Sequence, residues 1–80
     1  MLITVHDIKT NGTAYYVKLN RCPLKTTNGI GLSRIDYMLI RKRGGRKILG
    51  KYEDKKWKVY NFDYWRDLHD IVGKMLENFG

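Results

Sequence analysis

Apolar and polar residues alternate along the first twenty positions of the chain, in two runs separated by Asn11-Gly12. The runs are Leu2 to Ile8 and Ala14 to Leu19, and both are rich in β-branched and aromatic residues, which favour strands. Asn-Gly between two alternating runs is a strong hairpin signal, because both residues tolerate positive φ. The pattern therefore predicts an N-terminal β-hairpin.

The register of this hairpin follows from its apolar positions. A two-residue loop would pair Val5 with Lys18 and mix the two faces of the sheet. A three-residue loop, with Gly12 as the left-handed residue after a type I turn, pairs Val5 with Val17. We favour the three-residue, bulged loop because it keeps the apolar residues of both strands on one face.

Residues 20–34 contain the only proline of the chain, Pro23, together with Gly29 and Gly31 among Thr and Asn residues. This composition predicts a loop. A loop of this length is unusual in so small a protein and suggests a functional or mobile segment.

A second hairpin is predicted from strands Ile35–Lys42 and Arg46–Tyr52, with the turn at Gly44-Gly45. A third strand, Trp57–Tyr60, follows a polar four-residue turn. This arrangement places Tyr37 and Trp57 opposite Tyr52. One face is then the expected core: Ile35, Tyr37, Leu39, Ile48, Tyr52, Trp57 and Val59. The other is basic, with apolar and aromatic residues between the cations: Met38, Ile40, Lys42, Lys47, Leu49, Lys51, Lys58 and Tyr60.

Residues 62–79 carry a single apolar stripe at helical spacing. The stripe consists of Tyr64, Leu68, Ile71, Val72, Met75, Leu76 and Phe79. Asn61 or Asp63 can cap the helix, and Gly80 lies where it would end. The predicted fold is α+β: a mainly antiparallel sheet of about five strands, formed by the N-terminal hairpin and a three-stranded basic meander, packed against one C-terminal amphipathic helix. A chain of 80 residues predicts one domain, 1–80.

The net charge of +8 is concentrated in one part of the sequence. Residues 41–60 carry nine basic and two acidic side chains, whereas residues 61–80 carry two basic and four acidic ones. Five of the cations surround the glycine turn of the second hairpin. A two-stranded ribbon fits the major groove of DNA, and glycines allow close approach to phosphates. The alternative is a solvated hairpin whose lysines discourage edge-to-edge aggregation.

We therefore expect a nucleic-acid interface on this hairpin and on the sheet face behind it, with Tyr60 stacking on a base. The candidate residues are Arg41, Lys42, Arg43, Arg46, Lys47, Lys51, Lys58 and Tyr60.

The stretch from Tyr37 to Leu76, three strands followed by an amphipathic helix, resembles the arrangement of plant AP2 domains and of the arm-binding domains of some phage and transposon integrases. Those domains lay a three-stranded sheet on DNA and back it with a helix. The resemblance lies in the architecture and covers about half of the chain.

Catalytic and metal chemistry are poorly supported. Asp54-Lys55-Lys56 matches half of a nuclease motif, but a turn between strands accounts for it. Two distant histidines lack ligand-spaced companions, and the carboxylates at 63, 67 and 70 fit a solvated helix face. Cys22 has no evident base partner and is expected to be a small buried hydrophobe. We expect no enzymatic activity, no cofactor and no metal.

The leading hypothesis is a non-enzymatic DNA- or RNA-binding module that contacts the phosphate backbone. The alternative is a small inhibitor or adaptor that docks on an acidic surface of a partner protein, for example a mobile-element protein that blocks a host nuclease such as a CRISPR effector. The single cysteine fits a reducing, cytoplasmic setting, and residues 1–8 do not read as a signal peptide. No apolar run is long enough to span a membrane, so no membrane partner is expected.

Overall fold

A five-stranded antiparallel sheet forms the body of the protein. The structure is a computed structural model that describes residues 1–80. The strands lie in chain order, so each pairs with its neighbours in the sequence. They are β1 (Leu2–Thr10), β2 (Thr13–Arg21), β3 (Ile35–Lys42), β4 (Ile48–Glu53) and β5 (Lys56–Tyr60). One helix, α1 (Trp65–Phe79), packs on one face. The predicted α+β fold is confirmed.

The first hairpin has the predicted pairing but a different loop. Val5 lies opposite Val17, as expected. The connection is nevertheless a two-residue turn, in which Asn11 and Gly12 have φ values of 51° and 80°, as a type I′ turn requires. The register shift lies between Val5 and Ile8, where a bulge displaces β1. The prediction of a three-residue loop was therefore wrong, since the irregularity lies within the strand and not at the turn.

The second hairpin differs from the prediction in register. Met38, not Tyr37, lies opposite Tyr52. The tight turn spans residues 42–45, with Gly44 at a φ of 76°, and β4 begins only at Ile48. The last hairpin keeps the predicted pairing of Tyr52 with Trp57, but its turn has two residues, 54 and 55, both at positive φ.

The predicted core face is only partly right: Ile35 and Tyr52 are buried and Trp57 packs against the core, as predicted, but other positions of β3 and β4 change face. Met38, Ile40 and Leu49 are buried in the core, whereas Leu39 and Ile48 lie on the outer face. The cause is a register shift in each strand pair. Strict alternation would separate buried residues by two positions, but Leu49 and Tyr52 are three apart and both are buried.

The helix closes the core. Its apolar stripe buries Leu68, Ile71 and Met75 against the inner face of the sheet, as predicted. A short 3-10 turn, Phe62–Tyr64, precedes it, and the Asn61 side chain accepts a hydrogen bond from the backbone N–H of Asp63. This helix is neither long nor apolar enough to cross a membrane.

The helix approaches the sheet closely at Gly50. A Cβ atom at this position would lie 3.3 Å from Cδ2 of Leu68. The glycine therefore allows the leucine side chain to reach the sheet backbone.

The predicted loop after β2 is a folded segment. β2 extends to Arg21, and a 3-10 turn, Ile30–Leu32, lies inside the loop. Backbone hydrogen bonds run from Cys22 N–H to the carbonyl of Arg34 (2.7 Å) and from Thr26 N–H to the carbonyl of Ser33 (3.1 Å). These bonds satisfy backbone groups that a long loop would otherwise leave to water.

Candidate nucleic-acid interface

The sheet face opposite the helix, here called the open face, presents three rows of side chains across the central strands. Cross-strand pairing sets these rows, because residues opposite each other point to the same side. The row nearest the β3–β4 hairpin is Tyr16, Arg41 and Ile48, and the middle row is Lys18, Leu39, Lys51 and Val59. The far row is Asn20 and Tyr37, with Glu53 lining a cavity beside them. The cations without a carboxylate partner therefore lie towards the hairpin, whereas Glu53, paired with Lys51 and Lys58, lies at the far end.

Arg41 is held in place on the open face by two contacts. Its guanidinium carbon lies 4.3 Å from the centroid of the Tyr16 ring, and its Nη1 donates to the carbonyl oxygen of Gly45 at 2.8 Å. His6 contacts the same tyrosine edge-on, with ring centroids 5.7 Å apart. These contacts use one N–H of the guanidinium and leave others to donate to an anion.

A shallow trough of about 410 Å³ lies at this end of the open face. Its walls bring three cations together over an apolar floor: Tyr16, Lys18, Leu39, Arg41, Arg46 and Ile48. None of the three cations has a carboxylate within salt-bridge distance. The trough can therefore accept an anionic group above and an apolar ring below.

The remaining cations of the hairpin surround the trough without lining it. Lys42 points to the helix side, where its Nζ lies 4.7 Å from the centroid of the Tyr64 ring. Arg43 is exposed and forms an ion pair with Asp7 at 3.4 Å. Lys47 is exposed and has no acidic partner. The hairpin end of the molecule thus keeps most of its positive charge free.

Two of the predicted cations are neutralised by neighbours. The Nζ of Lys58 lies 2.8 Å from a carboxylate oxygen of Asp54 and 3.5 Å from one of Glu53. The hydrogen bond from Lys58 lowers the pKa of Asp54, and the same bond raises the pKa of Lys58, so both groups stay charged. Lys51 lies 3.9 Å from Glu53. These lysines contribute less free charge to the open face than the hairpin does.

Tyr60 lies on the helix side of the sheet. It pairs with Gly50, packs against the core and contacts the rings of Trp57 and Phe62 edge-on, at 5.4 and 5.5 Å. The expectation that it shares a face with Lys51 is therefore wrong. The register shift between β4 and β5 turns its ring inward, which removes the reason for assigning it to the nucleic-acid surface.

Several acidic side chains surround the far row of the open face. Asp36, Glu53 and Asp54 line a cavity of about 480 Å³ with Lys55, Tyr37 and two asparagines. No group of three or more His, Cys, Asp or Glu side chains is arranged to hold a metal ion. The carboxylates of Glu53 and Asp54 are balanced by Lys58, Lys51 and the neighbouring Lys55.

The helix carboxylates considered from the sequence are bound within the fold. Asp67 accepts hydrogen bonds from the Tyr15 hydroxyl and from Asn11 Nδ2, and Asp70 accepts one from the Thr10 hydroxyl. The bond from Thr10, with that from Lys74, lowers the pKa of Asp70. These two carboxylates fix α1 to the first hairpin.

The thiol of Cys22 shows no feature of a nucleophile. Cys22 is half-buried, and desolvation, with a hydrogen bond to Asp36, raises the pKa of its thiol. A raised pKa keeps the sulfur in its less reactive thiol form.

Two residues of the N-terminal hairpin, Tyr16 and Lys18, line the trough but were not among the candidate site residues. Tyr16 and Lys18 alternate with buried Val17 and Leu19, and that alternation already placed them on the outer face of β2. What the sequence did not reveal is that β2 pairs directly with β3 and so joins the two hairpins into one surface.

Comparison of the chain with protein-family models, with curated proteins and with solved structures finds no match.

Proposed function

We propose that this protein is a non-enzymatic nucleic-acid-binding module whose cationic hairpin contacts the phosphate backbone. The observation that carries the proposal is the convergence of Lys18, Arg41 and Arg46 on one trough, with no acidic partner for any of them. Proteins generally pair or disperse surface charge, and clustered free cations favour a polyanionic ligand.

The held guanidinium of Arg41 supports the same proposal. A side chain fixed by stacking and by a backbone hydrogen bond loses little conformational entropy when it binds a phosphate. We therefore assign the anchoring contact to Arg41 and the long-range attraction to the exposed Arg46 and Lys47.

The test is a fluorescence-anisotropy titration with labelled nucleic acid over a series of salt concentrations. Affinity should fall steeply with salt, and the double variant Arg43→Glu/Arg46→Glu should lose most of it. The matched control is Lys9→Glu/Lys25→Glu, which reverses two exposed cations outside the β3–β4 hairpin. Equal binding by the two double variants would remove the role assigned to the hairpin.

A second candidate function is an adaptor or inhibitor that binds another protein, and one exposed aromatic pair favours it. Phe62 is 77% exposed and Trp65 is 51% exposed, at the junction between β5 and α1. Aromatic anchors of this kind dominate many protein interfaces. Phe62→Ala/Trp65→Ala should abolish a protein complex and leave nucleic-acid binding unchanged, which a pull-down and the same titration would distinguish.

A further inference from the structure

Apolar side chains lie among the lysines at the centre of the open face. Leu39 is half-buried, while Ile48 and Val59 are 37% and 36% exposed, although a full inner face is available for apolar residues. Contacts with phosphate groups need only cations and hydrogen-bond donors. Apolar side chains beside those cations indicate that part of the ligand is itself apolar, as the face of an unpaired base is.

Exposed apolar side chains favour a single strand over a duplex. In a duplex the bases are stacked inside the helix and present only their edges in the grooves. An unpaired base exposes its face, which can lie on apolar side chains. The apolar positions beside the cations of the trough therefore match an unpaired strand.

We infer that the open face binds single-stranded nucleic acid, with the backbone along Arg41 and Arg46 and with bases over Leu39 and Ile48. This inference rests on the proposed function and specifies its ligand. Arg41 and Arg46 supply the charge, and Leu39 and Ile48 supply the apolar surface for the bases.

The experiment measures competition for the wild-type protein at an ionic strength of about 0.15 M, with DNA and RNA probes of about 12 nucleotides. The probes are a single strand, a duplex of the same sequence, and a single strand of the same length without bases. The single strand should bind at least about tenfold more tightly than the duplex. The strand without bases has the same charge and should bind at least about tenfold more weakly than the intact strand.

Two variants test the two parts of the inference. Ile48→Thr keeps a β-branched side chain on an exposed strand position, and should weaken binding of the intact strand but not of the strand without bases. Arg46→Gln removes a positive charge from the trough, and should weaken binding of the strands with and without bases alike.

The outcomes separate the inference from the function. Duplex affinity equal to or greater than single-strand affinity would overturn the inference and leave the nucleic-acid function standing. Equal binding of the strands with and without bases would likewise overturn the inference and leave the nucleic-acid function standing. Failure of every probe to bind at this salt concentration would overturn both. A preference for the DNA or the RNA strand would show which of the two nucleic acids the open face binds.

Discussion

Tyr15 combines complete burial of its side chain with a hydrogen bond to a carboxylate. The residue has no exposed surface, and its hydroxyl donates to Asp67. Burial raises the pKa of Tyr15 above its ordinary value of 10.0, and the neighbouring carboxylate raises it further. The phenol therefore stays protonated in the folded protein at a pH at which an exposed tyrosine ionises.

We expect Tyr15→Phe to lower the free energy of unfolding by about 2 kcal/mol at pH 7, the size of a hydrogen bond to a charged group. In the wild type, the raised pKa contributes stability that is complete below pH 10 and is lost as the pH rises above it, because the unfolded chain releases the proton first. The variant lacks this contribution, so its stability should fall less steeply above pH 10.

Urea unfolding followed at pH 7 and above pH 10 measures both effects. Tyr37→Phe is the matched control, because Tyr37 lies on the open face and its hydroxyl makes no hydrogen bond within the protein. It should unfold like the wild type at both pH values. An equal loss of stability in the two variants would contradict the role assigned to the buried phenol.

At the scale of the elements, the loop between β2 and β3 depends on one buried glycine. A Cβ atom at Gly29 would lie 2.0 Å from the carbonyl oxygen of Ser33, which cannot move without breaking the bond to Thr26. The Tyr52 hydroxyl also donates to the carbonyl of Asn28 at 3.2 Å. The loop is thus closed by backbone contacts that leave no room for a side chain.

Gly29→Ala should therefore destabilise the protein by more than about 1 kcal/mol. Gly73 in α1 is the matched control, since a Cβ atom there would meet nothing within 4 Å. Gly73→Ala should stabilise the protein by about 0.5–1 kcal/mol through helix propensity. Thermal unfolding of the two variants compares the effects. Equal shifts in Tm would mean that the loop is more adaptable than its contacts indicate.

The elements were predictable where periodicity alone decides them. The helix stripe from Leu68 to Met75 and the pairing of Val5 with Val17 follow from apolar spacing. The faces of β3 and β4 could not be predicted, because a bulge shifts the register by one residue and leaves no signature in the composition. The candidate site was predictable only at the hairpin. Its other half, Tyr16 and Lys18, depends on a pairing between strands that a loop of more than ten residues separates in the sequence.

At the scale of the whole molecule, the charge that favours a polyanion also opposes folding. The net charge is +8, and many of the cations lie together at the hairpin end. Their mutual repulsion is relieved when the chain unfolds. Salt screens this repulsion. Binding and stability should therefore respond to salt in opposite directions.

We expect the free energy of unfolding to rise between about 50 mM and about 200 mM salt, while nucleic-acid affinity falls over the same range. Arg46→Ala/Lys47→Ala should raise stability by up to about 0.5 kcal/mol at the lower salt concentration and should weaken binding. Urea unfolding and anisotropy on the same samples measure the two quantities. Lower stability in this variant would show that the hairpin cations support the fold.

The chain-order arrangement of the strands has a consequence for folding kinetics. Each strand pairs with its sequence neighbour, whereas the contacts of α1 with the first hairpin join residues 52 and 60 positions apart. Closing such long loops costs entropy, so helix docking should follow the rate-limiting step of sheet formation. Tyr15→Phe should then mainly accelerate unfolding, and Val17→Ala, at the centre of the sheet, should mainly slow folding; stopped-flow measurements over a range of urea concentrations would resolve the two rates.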